Sequence, residues 1–141
     1  EASLLMLDVD DLKKINDTYG HQAGDAVLSS IGSTLTESLR KVDIPARYGG
    51  DEFAVILPNT NKSGSIAVAE KIRSRLKRVT LKSDSREVPV TFSIGIATYP
   101  QSASGKELLV EKADRALYES KNHGKNKITH YGDISLEELG S

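Results

Sequence analysis

Two adjacent acids, Asp51 and Glu52, follow two glycines and precede an apolar run that ends at Leu57. A third acid, Asp8, interrupts the apolar run 3–9. If the fold brings these carboxylates together, their repulsion requires a cation or a retained proton. Mg²⁺ suits such a cluster, because it takes hard oxygen ligands and commonly needs only one or two carboxylates besides substrate phosphates. The same acids could instead be solvated side chains of a polar turn.

Composition limits the partners that such a site can have. The 141 residues are 38% hydrophobic and 28% charged, as expected for one compact domain with its own core. A net charge of −1 does not indicate the large positive surface that binds a nucleic-acid polymer. A phosphate-bearing partner must therefore be bound by a few residues at one site. The sequence shows no cysteine, signal peptide or membrane-spanning apolar run. We expect a cytoplasmic location, alone or as the cytoplasmic part of a membrane-bound or multidomain signalling protein.

The spacing of apolar residues predicts alternating strands and helices. Runs 3–9 and 89–98 are typical of buried strands, and runs 43–48 and 52–57 flank the glycines as a β-hairpin. Helical spacing covers 27–39, 66–76 and 109–117. Ser104 and Glu107 fit a capping box that opens the last of these helices, and Gly124 fits the C′ position that ends it. Residues 127–131 can form a last strand. Residues 81–88 remain ambiguous.

This order predicts an α+β fold with a ferredoxin-like split βαβ core, β-α-β-β-α-β. We expect a mostly antiparallel central sheet flanked by helices, with one additional helix early and one helix-strand unit late. In this topology the hairpin turn and the carboxyl end of the first strand share one end of the sheet, so Asp8 and Asp51 should be neighbours. We expect residues 1–131 to form a single domain and residues 132–141 a polar carboxyl-terminal tail or linker.

Four blocks of sequence carry a family resemblance: GGDEF at 49–53, DVDDLKKINDTYGHQAGD at 8–25, SIG at 93–95 and ADRALYESKNHGKN at 113–126. Together they resemble the GGDEF-domain diguanylate cyclases, which condense two GTP molecules into cyclic di-GMP. The resemblance extends over residues 4–128. The family's segment before the first strand is missing, and Leu12 stands where the family usually has phenylalanine.

The resemblance implies a metal site and a catalytic base. Asp8, the backbone carbonyl of Val9 and Asp51 would hold Mg²⁺, with Mn²⁺ as an alternative, and Glu52 would bind a second metal. Asp51 would also accept the proton of the attacking 3′-hydroxyl, so Asp51 and Glu52 are the expected catalytic residues.

The resemblance also implies a nucleotide site. Asn16 and Asp25 would read the guanine edge and His21 would lie near the nucleoside. The phosphates would be contacted by Gly49, Gly50, Lys13, Lys121 and Lys125, the last standing where arginine is usual. Glycines fit this position because phosphates approach the backbone closely where a Cβ would intrude. Taken singly, these polar residues could be ordinary caps, loop contacts or solvated lysines.

Two further expectations concern assembly and regulation. Because each GTP must attack the other, two domains should face each other about a two-fold axis as a homodimer. Arg40, Asp43 and Lys71 match the family's inhibitory product site, although lysine replaces arginine at 71. The alternative for Arg40 and Asp43 is a helix-end ion pair. Fused sensory or regulatory domains are expected partners.

Three functions therefore stand as alternatives. The first is an active diguanylate cyclase with product feedback, and the intact signature favours it. The second is a catalytically silent GGDEF domain that senses GTP or cyclic di-GMP for an attached domain. The third is an unrelated palm-type nucleotidyl transferase, which shares the two-acid chemistry but does not predict Arg40 and Asp43 at their offset.

Overall fold

The computed structural model describes residues 1–81 and 85–140. The first half of the chain contains β1 (Ala2–Val9), α1 (Leu12–Tyr19), α2 (His21–Ser38), β2 (Ile44–Arg47) and β3 (Glu52–Pro58). The second half contains α3 (Lys62–Arg75), β4 (Arg78–Thr80), β5 (Glu87–Pro89), β6 (Phe92–Tyr99), α4 (Lys106–Asn122) and β7 (Ile128–His130). A 3₁₀ turn (Tyr131–Asp133) and α5 (Leu136–Leu139) follow.

The central sheet has the strand order β2-β3-β1-β6-β7. β1 pairs antiparallel with both β3 and β6, β2 pairs antiparallel with β3, and only β7 runs parallel to its neighbour β6. The predicted α+β class and ferredoxin-like core are confirmed, with α1 as the additional early helix and α4 with β7 as the late unit. The hairpin turn lies beside the carboxyl end of β1.

Alternation along β1 separates two apolar cores. Leu5, Leu7 and Val9 pack in the larger core with residues of α2 and α3, including Val27, Ile31, Leu35, Ala69 and Ile72. Leu4 and Met6 point to the opposite face, where they pack with Ala113 and Leu117 of α4. Because successive strand residues face opposite sides, Asp8 continues the row of Leu4 and Met6. The pattern therefore directs Asp8 toward α4.

Two local predictions differ from the structure. A second sheet of β4 and β5 pairs Arg78–Thr80 with Glu87–Pro89, which the sequence pattern did not indicate; residues 82–84 of the ambiguous segment lie outside the described residues. The capping box at Ser104 was wrong. Gly105 occupies the N-cap of α4 without a side-chain cap bond, so Ser104 precedes the N-cap by one position.

The carboxyl-terminal segment is held against α4. Ile134 is buried, and the Arg115 guanidinium donates a hydrogen bond of 2.6 Å to the Glu138 carbonyl of α5. Within residues 1–81 and 85–140, none of the helices has the length and apolar character needed to cross a membrane.

Gly95 lets α4 pack directly on the backbone of β6. A Cβ at this position would lie 2.1 Å from the Leu117 nitrogen and 2.3 Å from the Ala113 carbonyl oxygen. Both are backbone atoms of α4, so neither can move without shifting the helix. The close approach fixes the distance between α4 and the strands that carry the acids.

We predict that Gly95→Ala lowers the free energy of unfolding by about 3 kcal/mol, the upper part of the usual range for overpacking. Urea denaturation of the variant and wild type measures the difference. Gly32→Ala is the control, because a Cβ on Gly32 would meet nothing within 4 Å, and alanine favours a helix by about 1 kcal/mol. Equal stability of Gly95→Ala and wild type would contradict the proposed backbone contact.

Candidate functional site

The acidic cluster forms where β1 and β3 meet the hairpin turn. Asp8 of β1 stands directly opposite Glu52, the first residue of β3. Asp51 precedes Glu52 in the turn. The strand register therefore brings Asp8 and Glu52 together at one end of the sheet, on the side that faces α4, and Asp51 is next to them in the turn.

Lys121, near the carboxyl end of α4, supplies the positive charge in this cluster. Its Nζ lies 3.1 Å from Asp8 Oδ2 and 3.3 Å from the Val9 carbonyl oxygen. A third contact, of 3.2 Å, joins it to Asp10 Oδ1. Asp8 and Val9 thus present two oxygens to one cation.

Burial makes the cluster electrostatically costly. It raises the pKa of Asp8, and the Lys121 ammonium only partly opposes this effect. The pKa of Glu52 is also raised, first by burial and then by the charges of Asp8, Asp114 and Asp51. Asp8 Oδ1 is buried and has no hydrogen-bond partner within the described residues. An additional cation would therefore stabilise the ionised acids.

The residues present fit a magnesium ion, although the acids do not converge on one point. The ligand atoms of Asp8, Asp51 and Glu52 are not all within 4.8 Å of one another. In the part of the chain that the structure describes, the three side chains that meet this distance are Glu119, His123 and Glu138. Mg²⁺ needs only one or two carboxylates when phosphates and water complete its shell. The unpaired Asp8 Oδ1 and the Val9 carbonyl meet that need.

Asp10 is a site residue that sequence reasoning missed. Its side chain is 2% exposed and accepts hydrogen bonds from Thr91 Oγ1 (2.7 Å), Ser93 Oγ (2.6 Å) and the Asn126 N–H (2.9 Å). Burial alone would raise the pKa of Asp10, but these hydrogen bonds and Lys121 lower it. Asp10 is thus an ionised anchor for Lys121. Its position two residues after Asp8, just past the end of β1, was the available signal.

The predicted base-reading residues lie on two adjoining helices. Asn16 is on α1 and its side chain packs against Gly24 in the first turn of α2. The next residue, Asp25, is exposed and lines a groove with Tyr19 and Arg86. His21 is exposed at the start of α2. The structure therefore brings the Asn16 side chain next to the turn that carries Asp25.

The predicted phosphate-binding lysines have different environments. Lys125 forms an ion pair of 2.6 Å with Asp11, which raises the pKa of Lys125 through that hydrogen bond. Lys13 is exposed in the first turn of α1. Lys121 alone of the three directly contacts the acidic cluster in the described residues.

The glycines of the hairpin turn are not required by the turn itself. Neither Gly49 nor Gly50 has a positive φ, and a Cβ on Gly50 would meet nothing within 4 Å. Arg47, which sequence reasoning also missed, donates a hydrogen bond to the Gly50 carbonyl and stacks over Phe53 at 5.9 Å. The space beside Gly50 is therefore open to a ligand.

The residues of the expected inhibitory site lie at the other end of the hairpin. Arg40 forms a 2.8 Å ion pair with Asp43 and also donates to the Pro58 carbonyl and Thr60 Oγ1. Burial would raise the pKa of Asp43, but the hydrogen bonds from Arg40 lower it. Gly64 and Val68 of α3 line a groove beside Arg40, and Lys71 continues their helical row. No described hydrogen bond or ion pair joins Lys71 to Arg40.

Comparison with known proteins identifies the family. The family described as "Diguanylate cyclase, GGDEF domain" matches residues 1–127. Diguanylate cyclase A of Treponema denticola is 46% identical over 127 residues, which are 90% of this chain and 34% of that protein.

Two solved structures are also similar. The GGDEF domain of YfiN (TpbB) from Pseudomonas aeruginosa has a TM-score of 0.88 at 35% identity, covering 92% of this chain and 81% of that one. The GGDEF domain of DgcB from Caulobacter crescentus, in complex with c-di-GMP, has a TM-score of 0.85 at 34% identity, covering 94% and 78%.

The chain spans about a third of the length of the curated relative from Treponema denticola, so the similarity concerns that part of the relative. The matched region contains the acidic cluster, Lys121 and the pair Asn16 and Asp25. The chain belongs to the GGDEF domain family of diguanylate cyclases.

Proposed function

We propose that this domain is an active diguanylate cyclase that converts two GTP molecules into cyclic di-GMP and two pyrophosphates. The observation that carries the proposal is the pairing of Asp8 with Glu52 beside the Gly-Gly-Asp turn, with Asp8 and Val9 oxygens already facing the Lys121 ammonium. The 46% identity to a diguanylate cyclase supports the same reaction. Residues 1–131 would be the catalytic domain, in the cytoplasm where GTP is available, with sensory or regulatory domains fused to it.

In this proposal Asp8, the Val9 carbonyl and Asp51 would hold Mg²⁺, and Glu52 would hold a second ion. The metal would supply positive charge to the phosphates and lower the pKa of the attacking hydroxyl. Asp51 accepts the 3′-hydroxyl proton as the 3′-oxygen forms a bond to the α-phosphorus of the other GTP. The bond from that phosphorus to the pyrophosphate oxygen breaks, so each attack releases one pyrophosphate.

The other residues bind and orient GTP. Lys121, Lys13 and Lys125 would contact the phosphates, and the backbone at Gly49 and Gly50 leaves room for them. Lys121 would exchange its contact with Asp8 for a contact with a phosphate. Asp10 would keep the Lys121 ammonium within reach of that phosphate. Asn16 and Asp25 would read the guanine edge, near His21. Each domain holds one GTP, so a two-fold homodimer is required for the two reciprocal attacks.

Product feedback is the second part of the proposal. Arg40 presents a guanidinium at the groove beside α3, and its side chain is 54% exposed while Asp43 is 2% exposed. A guanidinium fork can form two hydrogen bonds with a guanine edge or a phosphate, once Nη2 of Arg40 exchanges its Pro58 and Thr60 partners for the ligand. Lys71, one turn further along α3 from Val68, would add a point charge without that geometry. The distance from the acids along the hairpin allows inhibition without competition for GTP.

We predict that Asp8→Asn and Asp51→Asn each lose at least ten-fold in turnover of GTP with Mg²⁺, about 1.4 kcal/mol or more. Asp8→Asn should also unfold at a higher temperature, because the raised pKa of Asp8 means that its charge is unfavourable in the fold. Mass spectrometry of the products and thermal unfolding measure the two effects.

Glu111→Gln is the control, since it removes a charge from an exposed residue of α4. The wild type is assayed both alone and fused to an amino-terminal dimeric coiled coil. Absence of cyclic di-GMP from the fused form at high concentration would contradict the enzyme and favour the domain that only senses nucleotide.

We predict that Arg40→Ala weakens calorimetric binding of cyclic di-GMP by about 10- to 100-fold, the discrimination expected of one bidentate arginine contact. Arg40→Lys keeps a charge beside buried Asp43 and should weaken binding similarly, because lysine lacks the fork. The exposed neighbour Lys41 provides the control variant Lys41→Ala. Initial turnover should not change in these three variants, and wild-type affinity in Arg40→Lys would refute the fork contact.

A further inference from the structure

Gly24 of α2 lies against the side chain of Asn16 on α1. It is buried in the first turn of α2. A Cβ built on it would lie 2.1 Å from Asn16 Oδ1, 2.9 Å from Asn16 Cγ and 3.1 Å from Asn16 Nδ2. The nearest atoms to that position therefore all belong to the side-chain amide of one residue.

The fold itself does not explain this glycine. Its φ is not positive, so the backbone conformation is open to any residue. Glycine in a helix costs about 1 kcal/mol relative to alanine. Gly95 shows the contrast, because a Cβ there would strike backbone atoms. At Gly24 the obstacle is the end of a movable side chain, which could turn aside without disturbing the helices.

Packing, rather than hydrogen bonding, holds the Asn16 amide in place. Asn16 Oδ1 is buried and accepts no hydrogen bond within the described residues. A buried acceptor without a donor is unfavourable, and the absence of a Cβ on Gly24 leaves the space that this orientation of the amide occupies. With a Cβ at position 24, Oδ1 would have to retreat by more than an ångström to reach the ordinary contact distance of about 3.5 Å.

We propose that Gly24 is a specificity-determining residue, which acts by holding the Asn16 amide in the orientation that reads the base. The inference rests on the proposed function, in which Asn16 and Asp25 bind guanine. Gly24 precedes Asp25 directly, so the Asn16 amide packs beside the residue before the second base-reading group. A side chain at position 24 displaces the amide and leaves the fold intact.

The test measures nucleotide binding by calorimetry for wild type, Gly24→Ala and Gly32→Ala, using GTP and ITP, which lacks the 2-amino group of guanine. Gly32 lies on the same helix with nothing within 4 Å of its Cβ position, so Gly32→Ala reports the helical effect of alanine alone. We expect Gly24→Ala to bind GTP at least about ten-fold more weakly than Gly32→Ala, because polar base contacts are lost. The preference for GTP over ITP should shrink, while the melting temperature does not fall below wild type.

Asn16→Ala and the double variant Asn16→Ala/Gly24→Ala complete a cycle. Once the amide is removed, alanine at 24 should cause no further loss of GTP affinity, which would be strong non-additivity. Additive losses, or a Gly24→Ala variant with wild-type preference for GTP over ITP, would overturn the inference. If the wild-type protein prefers GTP over ITP but forms no cyclic di-GMP, the proposed function is contradicted. The inference about Gly24 is then still decided by the binding measurements.

Discussion

The site depends on one constraint, the burial of carboxylates on the α4 side of the sheet with Lys121 as their main counter-charge. Alternation along β1 forces Asp8 to the same face as Leu4 and Met6, and the register with β3 adds Glu52 opposite it. Burial raises the pKa of Asp8 and Glu52, because one lysine does not compensate the desolvation of the acids. Such an arrangement is unfavourable for folding and favourable for binding a cation and phosphates.

The position of Lys121 is set by contacts far from it in sequence. The missing side chain of Gly95 brings α4 onto the backbone of β6, and Asp10 then holds the Lys121 ammonium at 3.2 Å. Asp10 also accepts the Asn126 N–H, so the loop after α4, which carries Lys125, is fixed by the same carboxylate. Two of the proposed phosphate-binding lysines are thereby tied to the end of β1.

The sequence predicted what depends on local pattern. The apolar run of β1 and the glycine turn between β2 and β3 indicated the sheet, and the topology indicated that Asp8 and Asp51 are close. Contacts between elements could not be predicted from the sequence pattern. The contacts of Lys121 with Asp8 and Asp10 depend on where α4 lies in the fold. The packing of Asn16 against Gly24 depends on where α2 lies. β4 and β5 have three residues each, which is too short to show an alternation of apolar and polar residues. Ser104 and Glu107 have the residue types of a capping box, but α4 begins one position later than that box requires.

A carboxyl ¹³C NMR titration of Asp8, assigned by the loss of its signal in Asp8→Asn, tests the central electrostatic claim most directly. In the ligand-free protein we expect the pKa of Asp8 to lie above its ordinary value, because burial outweighs the opposing effect of Lys121. In Lys121→Met the pKa of Asp8 should rise further, since the opposing charge and hydrogen bond are gone. An Asp8 pKa at or below its ordinary value in the wild type, or no change in Lys121→Met, would contradict a buried acid cluster neutralised by Lys121.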